Sequence, residues 1–446
     1  VSASREFTKT RALVLAGLVV GYAALYLCRL NLAASVASLD SDLGIDKRAY
    51  GQIASIGTLA YAFGKVASGP TAERFGGKFA FFFAIFGSAL ACAILSQTAQ
   101  VGLWVFVGLW MVSRAVQAIG WAGLVAIVPA WTEPVRYGTV MGWMSLSYQI
   151  GGVVVPVLFA ALLAYGFGWS GLFLIPAILL GVIGAVLLPI IQQSPAKGGL
   201  LPAQLPADLR PVALPLPSAQ DPHAKAEPEP VVAKQSGIIL LLKNRRFWLV
   251  LALSFALTLL RECFQTWLPA YFASLGAKGS DAVLKSTLFP LLGCAGTIGA
   301  GWVSDKMTPG NRGPVLVGLL TGLVVVLASL AYAEPIALAL GVAPADLALW
   351  LTAAAGLFVL APYSMVGGGV IALDFGGQQS GAAAAGLLDA VGYLGASLAG
   401  IGVAETVARL GWNAAWQGLA GLSFGALLLC LPMLKQQPKS TAPSLA

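Results

Sequence analysis

The sequence predicts an all-α integral membrane protein of twelve transmembrane helices, arranged as two six-helix bundles. Three observations predict it. Of the 446 residues 58% are hydrophobic and only 10% charged, and the mean hydropathy is +0.84, whereas soluble domains carry about 25% charged residues. The apolar residues fall in runs of roughly 20, the length of a helical span, and not in the alternating ten-residue segments of a transmembrane barrel. One polar stretch near the middle of the chain separates six such runs from six more.

Taken in order, the runs end at charged residues or at Gly/Pro turns. They place helices at 12–37, 50–69, 78–97, 102–129, 138–164 and 169–191, then at 246–273, 284–304, 314–333, 346–372, 381–405 and 412–434. The bundles are expected at 1–192 and at 246–446, the second with a short tail. Residues 193–245 join them. Within this joint, KGGLLPAQLPADLRPVALPLPSAQDPHAKAEPEPVVAK (197–234) is dense in Pro and Ala and has no amphipathic period, so it buries too little apolar surface to fold alone and reads as a flexible linker. The linker ends in Lys243, Arg245 and Arg246, a cluster suited to an anionic lipid surface. At the other end, VSASREFTKT is rich in Ser and Thr; the stub of a cleaved plastid-type transit peptide and a plain cloning boundary both fit it.

Orientation follows from the basic residues. Of 26 lysines and arginines, five (Lys47, Arg48, Lys278, Lys285, Arg409) fall in loops on one side and four lie within helices. The remaining 17 lie in the loops, tails and linker of the other side. The positive-inside rule therefore expects both termini and the linker on the cytoplasmic side, or its equivalent in an organelle such as the plastid inner envelope. The net charge of +8 is mostly this bias, and no nucleic-acid partner is needed to explain it.

Composition also excludes chemistry. The single histidine, His223, sits in the linker, which removes histidine catalysis and a membrane-embedded histidine relay. The five cysteines are odd in number and all lie inside apolar runs, so neither a disulfide framework nor a metal site is expected. No nucleophile, base and orienter set appears within the spans, so the chain is not expected to be an enzyme, and no cofactor is expected.

The halves repeat each other. GPTAERFGGK (69–78) joins helices 2 and 3, and GWVSDKMTPGNRG (301–313) joins helices 8 and 9. Gly69 and Gly301, Glu73 and Asp305, and Arg74 and Lys306 are each 232 residues apart, the constant offset of a duplication. These residues, with Arg312, are the predicted gating loops; Glu73 and Asp305 are expected to cap helix N-termini or to pair with Arg136 and other loop bases.

Four bases lie inside the spans: Arg29, Lys65, Arg114 and Arg261. A charge at bilayer depth costs at least about 2.5–3.5 kcal/mol, so each must face protein or a water-filled cavity. Arg29 and Arg261 again differ by 232, in the first helix of each half, so a repeat axis along the membrane normal sets them opposite one another near the midplane. A planar guanidinium offers two parallel donors to phosphate oxygens and stays charged at any working pH, so the pair describes a dianion site. Tyr22 and Tyr26 precede Arg29 by seven and three residues, and Tyr61 precedes Lys65 by four, placing hydroxyl donors and ring walls on the same helical faces. Aromatics at this spacing also serve plain packing, and an intramembrane arginine can be neutralised by carbonyls or a carboxylate. Glu262 projects about 100° from Arg261 around the helix, and Asp389, Glu262 and Arg114 are candidate counter-ion or coupling residues. Arg114 reads as structural or gating.

Arg114 opens RAVQAIGWAG (114–123), which with the two Gly-rich loops and the 6+6 layout resembles the major facilitator superfamily. Within it, GYAALYLCRLN (21–31), AYAFGK (60–65), Gln117 with Gly120–Trp121, GWVSDKMTPGNRG, GYLGAS (392–397) and GWNAA (411–415) resemble the organophosphate:phosphate antiporter family. Trp267 and Pro269 match its helix 7 pattern. The resemblance implies exchange of inorganic phosphate for a phosphorylated metabolite by a rocker switch, with triose, three-carbon acid or hexose phosphates as substrate classes. It implies Arg29 and Arg261 as the phosphate pair, Lys65 as a further base, and Tyr22, Tyr26 and Tyr61 as lining residues; Trp121, Tyr148, Gln149 and Tyr393 are expected beside them in the substrate site. Departures from the glycerol-3-phosphate branch are Tyr148 for its His, Leu30 for its Lys, Thr266 for its Asp and Pro290 near its Glu. The phosphate clamp is kept while the surrounding ion pairs differ. The expected ligands are phosphate and an organophosphate, with membrane lipid around a monomer. Two alternatives stay open: a carrier of another anion, and a transporter-like sugar-phosphate sensor.

Overall fold

A computed structural model describes residues 2–98, 102–132, 137–195, 241–305, 312–367, 384 and 386–434. Most of the predicted linker, Arg136, Lys306 and the predicted helix ends at 368–372 and 381–383 lie outside the described residues.

Helix α1 (Ser2–Ala24) runs into a 3-10 turn at Leu25–Cys28, and α2 (Asn31–Ala34) and α3 (Val36–Leu43) complete the first crossing. The first half continues with α4 (Lys47–Phe75), α5 (Gly77–Leu95), α6 (Leu103–Trp131), α7 (Tyr137–Ala164) and α8 (Trp169–Leu187). The second half holds α9 (Arg245–Ser274), α10 (Gly279–Ser286), α11 (Leu288–Asp305), α12 (Gly313–Ala331), α13 (Ala333–Leu340) and α14 (Pro344–Gly367). Helical residues 386–396 then lead into α15 (Leu398–Cys430), which ends in a 3-10 turn at Leu431–Leu434.

Ten stretches among the described residues are long and apolar enough to cross a membrane. One of them, Gly386–Leu434, doubles back at Gly411, whose φ of +81° and ψ of 177° only glycine adopts without strain. The reversal is visible against α9. On the rising arm, Leu388 O accepts from Ser254 Oγ and Ala399 O from Trp267 Nε1, in parallel order; on the descending arm, Trp412 and then Trp416 pack on Tyr271. The remaining crossing is α4, whose charged and glycine-rich sequence keeps its hydropathy low.

Several boundaries differ from expectation. The second crossing runs to Phe75 instead of 69, so Gly69, Glu73 and Arg74 of the predicted joining loop are helical. The first crossing begins at Ser2 and is broken between Leu25 and Ser35, where one continuous helix over 12–37 is predicted. The eighth is split at Thr287. A short helix, α13, occupies a stretch predicted as loop, and the eleventh crossing runs to Gly411 instead of 405. Continuous apolar runs mark burial in the bilayer and carry no mark of where a neighbouring side chain captures a backbone group.

Within each half the helices meet at small residues. A Cβ at Gly64 would stand 2.3 Å from Ala115 O, and one at Gly356 only 1.9 Å from Phe289 O. In hydrocarbon such close backbone packing is the main source of helix association, because burial from water no longer drives it.

The halves meet along two seams, α4 against the rising arm of Gly386–Leu434, and α7 against α10 and α11. The first is an antiparallel zipper. From the Arg48 end it runs Arg48 with Glu405 (2.6 Å), Gly51 with Gly400 and Ala404, Ser55 Oγ with Ile401 N (2.8 Å), and then Lys65 with Asp389 (2.8 Å). In the second, Gln149 Nε2 donates to Thr297 Oγ1 at 2.9 Å. At the opposite, linker end of the same four crossings, a Cβ at Gly69, Gly142, Gly299 or Gly386 would meet nothing within 4 Å. A Cβ at Gly400 would lie 2.2 Å from Gly51 O. Gly400→Leu is therefore expected to part the halves at the Arg48 end, raising thiol labelling of Ser55→Cys several-fold over S55C alone. Unchanged labelling would contradict this closure.

Candidate functional site

The break in the first crossing positions Arg29. Neither Gly nor Pro lies between Leu25 and Ser35, so the cause is tertiary. Arg29 N and Leu30 N both donate to Tyr26 O, and Leu32 N turns to Asn31 Oδ1 (3.0 Å). That leaves Cys28 O outside the helical ladder, and Gln117 Nε2 on α6 donates to it at 2.7 Å and to Ser113 Oγ at 3.1 Å. Gln117→Leu would leave this buried carbonyl with only the weak, 3.8 Å donor Cys92 Sγ, at a cost of about 1 kcal/mol or more. A lower melting temperature is the expected result; an unchanged melting temperature would count against it.

Arg29 lies over the rings of Tyr26 (4.9 Å) and Tyr61 (4.5 Å). Arg261 lies over Tyr363 (4.3 Å) and Tyr393 (5.6 Å) and donates from Nη2 to the Tyr393 hydroxyl at 3.2 Å. Tyr61 and Tyr393 pack on one another with centroids 4.6 Å apart, so a pair of rings from opposite halves stands between the two guanidiniums. Desolvated cation–π contacts of this kind contribute about 2 kcal/mol each.

Each remaining charge has an opposite-sign partner. Lys65 Nζ is 2.8 Å from Asp389 Oδ2. Glu262 stands 3.6 Å from Arg114 Nη2 and 3.5 Å from Arg261 Nη2, with Thr58 Oγ1 3.4 Å from Glu262 Oε1. Helix geometry starts Glu262, a candidate counter-ion, about 100° around the helix from Arg261. Its side chain still bridges, because the long flexible stems of Arg261 and Glu262 span the 100° between them once Arg114 approaches from the other half. Four bases and two carboxylates thus leave two positive charges in excess at mid-depth, while Arg29 has no carboxylate within ion-pair distance among the described residues. Arg29 Nε, Arg261 Nε and the Tyr61 hydroxyl are buried and make no hydrogen bond, each a cost of about 1–3 kcal/mol until an acceptor or donor meets it.

The other predicted lining residues are spread more widely. Tyr22 and Trp121 pack edge to face at 5.1 Å. Tyr148 is half-buried against the core, and Gln149 stitches α7 to α11 with its Oε1 buried and unbonded. Arg114 also lies over Tyr61 (5.0 Å) and Trp110 (5.8 Å). Residues not singled out in the sequence are Tyr363 and Thr58, which meet Arg261 and Glu262 from other helices. No local spacing links Tyr363 to an arginine 102 positions away.

The gating loops are partly described. Gly69, Glu73 and Arg74 are exposed or peripheral, Arg74 lying over the Phe75 ring at 5.3 Å. The N-terminus of α5 is met not by Glu73 but by Gln193, whose Oε1 accepts from Lys78 N at 2.7 Å. Gly76 turns the chain at φ +88° and directs Lys78 N toward the end of the sixth crossing. Arg312 precedes α12, whereas Lys306 and the side chain of Asp305 lie outside the described residues. Among the described residues no group of His, Cys, Asp and Glu is placed to hold a metal ion.

Comparison with known proteins places this geometry. The chain is 24% identical to a probable hexose phosphate transport protein of Chlamydia pneumoniae, covering 98% of this chain and 94% of that one. It is 26% identical to the membrane sensor protein UhpC of Salmonella typhimurium (95% and 91% covered), and 24% identical to the glycerol-3-phosphate transporter of Bacillus subtilis (91% and 88%). Among solved structures, the xylose transporter XylE from E. coli, in a partially occluded inward open conformation, superposes with a TM-score of 0.68 at 13% identity, covering 96% and 99% of the two chains. That likeness shows the fold. The sequence profile of the Major Facilitator Superfamily matches residues 18–366. With its twelve crossings in two packed halves and a charged cluster buried between them, this multi-pass membrane protein is a transporter-fold chain that belongs to the major facilitator superfamily, among relatives named for phosphorylated substrates.

Proposed function

We propose that the protein exchanges inorganic phosphate for a phosphorylated metabolite by alternating access, with Arg29 and Arg261 binding the phosphoryl group. The observation that carries this reading is the excess of two positive charges at mid-depth, with guanidinium and hydroxyl donors of Arg29, Arg261 and Tyr61 left unbonded. A phosphate dianion matches both the charge and the demand for several acceptors. Lys65 and Asp389 stand on the linker side of the site, and Arg114 and Glu262 toward the Arg48 end, so an anion entering from the linker side first meets Lys65. Without an anion the two excess cations repel when the halves close around them, which disfavours the empty return step and makes exchange obligatory. The termini and linker lie on the cytoplasmic side in this reading, and the relatives' bacterial origin suits an inner membrane.

The test is labelled phosphate uptake into proteoliposomes. Uptake is expected only when the lumen holds phosphate or an organophosphate, and a counterflow series of triose, three-carbon acid and hexose phosphates ranks the substrates. Equal uptake into empty vesicles would remove the exchange mechanism, and preference for nitrate or a carboxylate over phosphate would favour another anion. The likeness to a membrane sensor protein supports a second reading, a sugar-phosphate receptor, in which ligand binds but no label accumulates under any loading.

A further inference from the structure

An open groove near the linker end lies outside the charged cluster, on the outer face of the first half. It has a volume of about 680 Å³ and is bounded by α5 and the end of α8. We propose that it is a binding site for an anionic diacyl phospholipid, its phosphate held by Lys78 and one acyl chain lying along the α5 aromatic stripe.

The apolar part is built by helical spacing. Phe75 packs tilted on Phe79 at 5.2 Å, Phe79 stacks on Phe83 at 5.7 Å, and Phe82 stacks on Phe86 at 6.0 Å, making two aromatic walls. Gly87 lines the floor between them, where its lack of a side chain lets Val116 of α6 pack close behind, and Leu188 closes the far side. Phe79, Phe83 and Leu90 remain 49%, 43% and 63% exposed after the fold is complete. From Lys78 to Leu90 is about 18 Å along the helix axis, close to the ~15 Å depth of one leaflet of a ~30 Å hydrocarbon core. The groove therefore runs from headgroup level to the bilayer centre, which is the reach of a single acyl chain.

The polar end selects charge. Lys78, Gln192 and Gln193 line it, and no carboxylate does. The two glutamine oxygens face inward, Gln193 Oε1 accepting from Lys78 N and Gln192 Oε1 standing 3.4 Å from Lys78 Nζ, while Gln192 Nε2 is committed to Pro189 O. Lys78 Nζ keeps further donor positions, has no carboxylate within ion-pair distance among the described residues, and has Arg74 four residues before it on the exposed face of α4. A phosphodiester with a net negative charge satisfies this end; a zwitterionic headgroup brings its own cation against Lys78. The site also lies on the side that carries 17 of the 26 basic residues, where anionic lipid accumulates.

The test is native mass spectrometry of the delipidated full chain in detergent, given equimolar phosphatidylglycerol and phosphatidylcholine. The wild type is expected to retain one phosphatidylglycerol in several-fold preference. Lys78→Gln should cut that preference to near unity, Phe79→Ala should weaken retention of both lipids, and Lys9→Gln, an exposed basic residue outside the groove, should leave the preference unchanged. Thermal melts of each variant establish that it is folded. Equal retention of the two lipids by the wild type, or an undiminished preference in K78Q, would overturn the proposal.

Discussion

Arg29→Lys and Arg261→Lys are each expected to reduce phosphate exchange in proteoliposomes by about 30-fold or more. Both substitutions keep the excess of two positive charges, so they isolate geometry from charge. What they remove is the planar fork, which offers two parallel donors to a phosphoryl group, and the flat face that lies on Tyr26 and Tyr61 or on Tyr363 and Tyr393. Loss of one partner in a buried, charge-assisted contact costs about 2–5 kcal/mol, and 1.4 kcal/mol is a factor of ten. Retention of exchange within two-fold by either variant would exclude that arginine from the phosphate contact. A melting curve recorded on each variant separates loss of the phosphate contact from loss of the ring contacts that also support the fold.

Glu262→Gln is expected to act in two directions at once. Glu262 holds Arg114 from one half and Arg261 from the other, so its neutralisation leaves three positive charges in excess and loosens the seam between the halves. Removing one partner of a buried ion pair costs about 3–5 kcal/mol, which should lower the melting temperature of the anion-free protein by several degrees. The same change frees Arg261 of its competing carboxylate and strengthens dianion binding. Saturating phosphate should accordingly raise the melting temperature of the variant more than that of the wild type, while turnover falls because a tightly held anion leaves slowly. Equal phosphate-induced shifts in the two proteins would show that Glu262 does not compete with the ligand.

Much of the crossing pattern and part of the site were legible in the residues. The apolar run over 412–434 and the Gly-containing turn before it announced a return crossing, and Gly411 makes that turn in a single residue. The offset of 232 paired Arg29 with Arg261 because a duplicated helix keeps equivalent depths. What escaped was everything that depends on which face of one helix meets another. The break at Leu25–Ser35 has no Gly or Pro to betray it, since its cause is an amide 89 residues away on α6. Tyr363 and Thr58 are unremarkable within their own helices and gain their place only from the approach of Arg261 and Glu262. Helix geometry placed Glu262 about 100° from Arg261, and it took the third charge of Arg114 to draw both side chains to one point.

By itself, the sequence determined that the chain crosses a bilayer, that charged positions recur at an offset of 232, and that four bases lie where bare charge is costly, because hydropathy, offset and charge are properties of the chain in order. The tertiary structure decided how those bases are compensated. Lys65 pairs with Asp389, Glu262 is shared by Arg114 and Arg261, and Arg29 is left among aromatic rings. The physical reason is that electrostatic partnership at mid-depth is a matter of a few ångströms between helices far apart in the chain, and only their packing sets those distances.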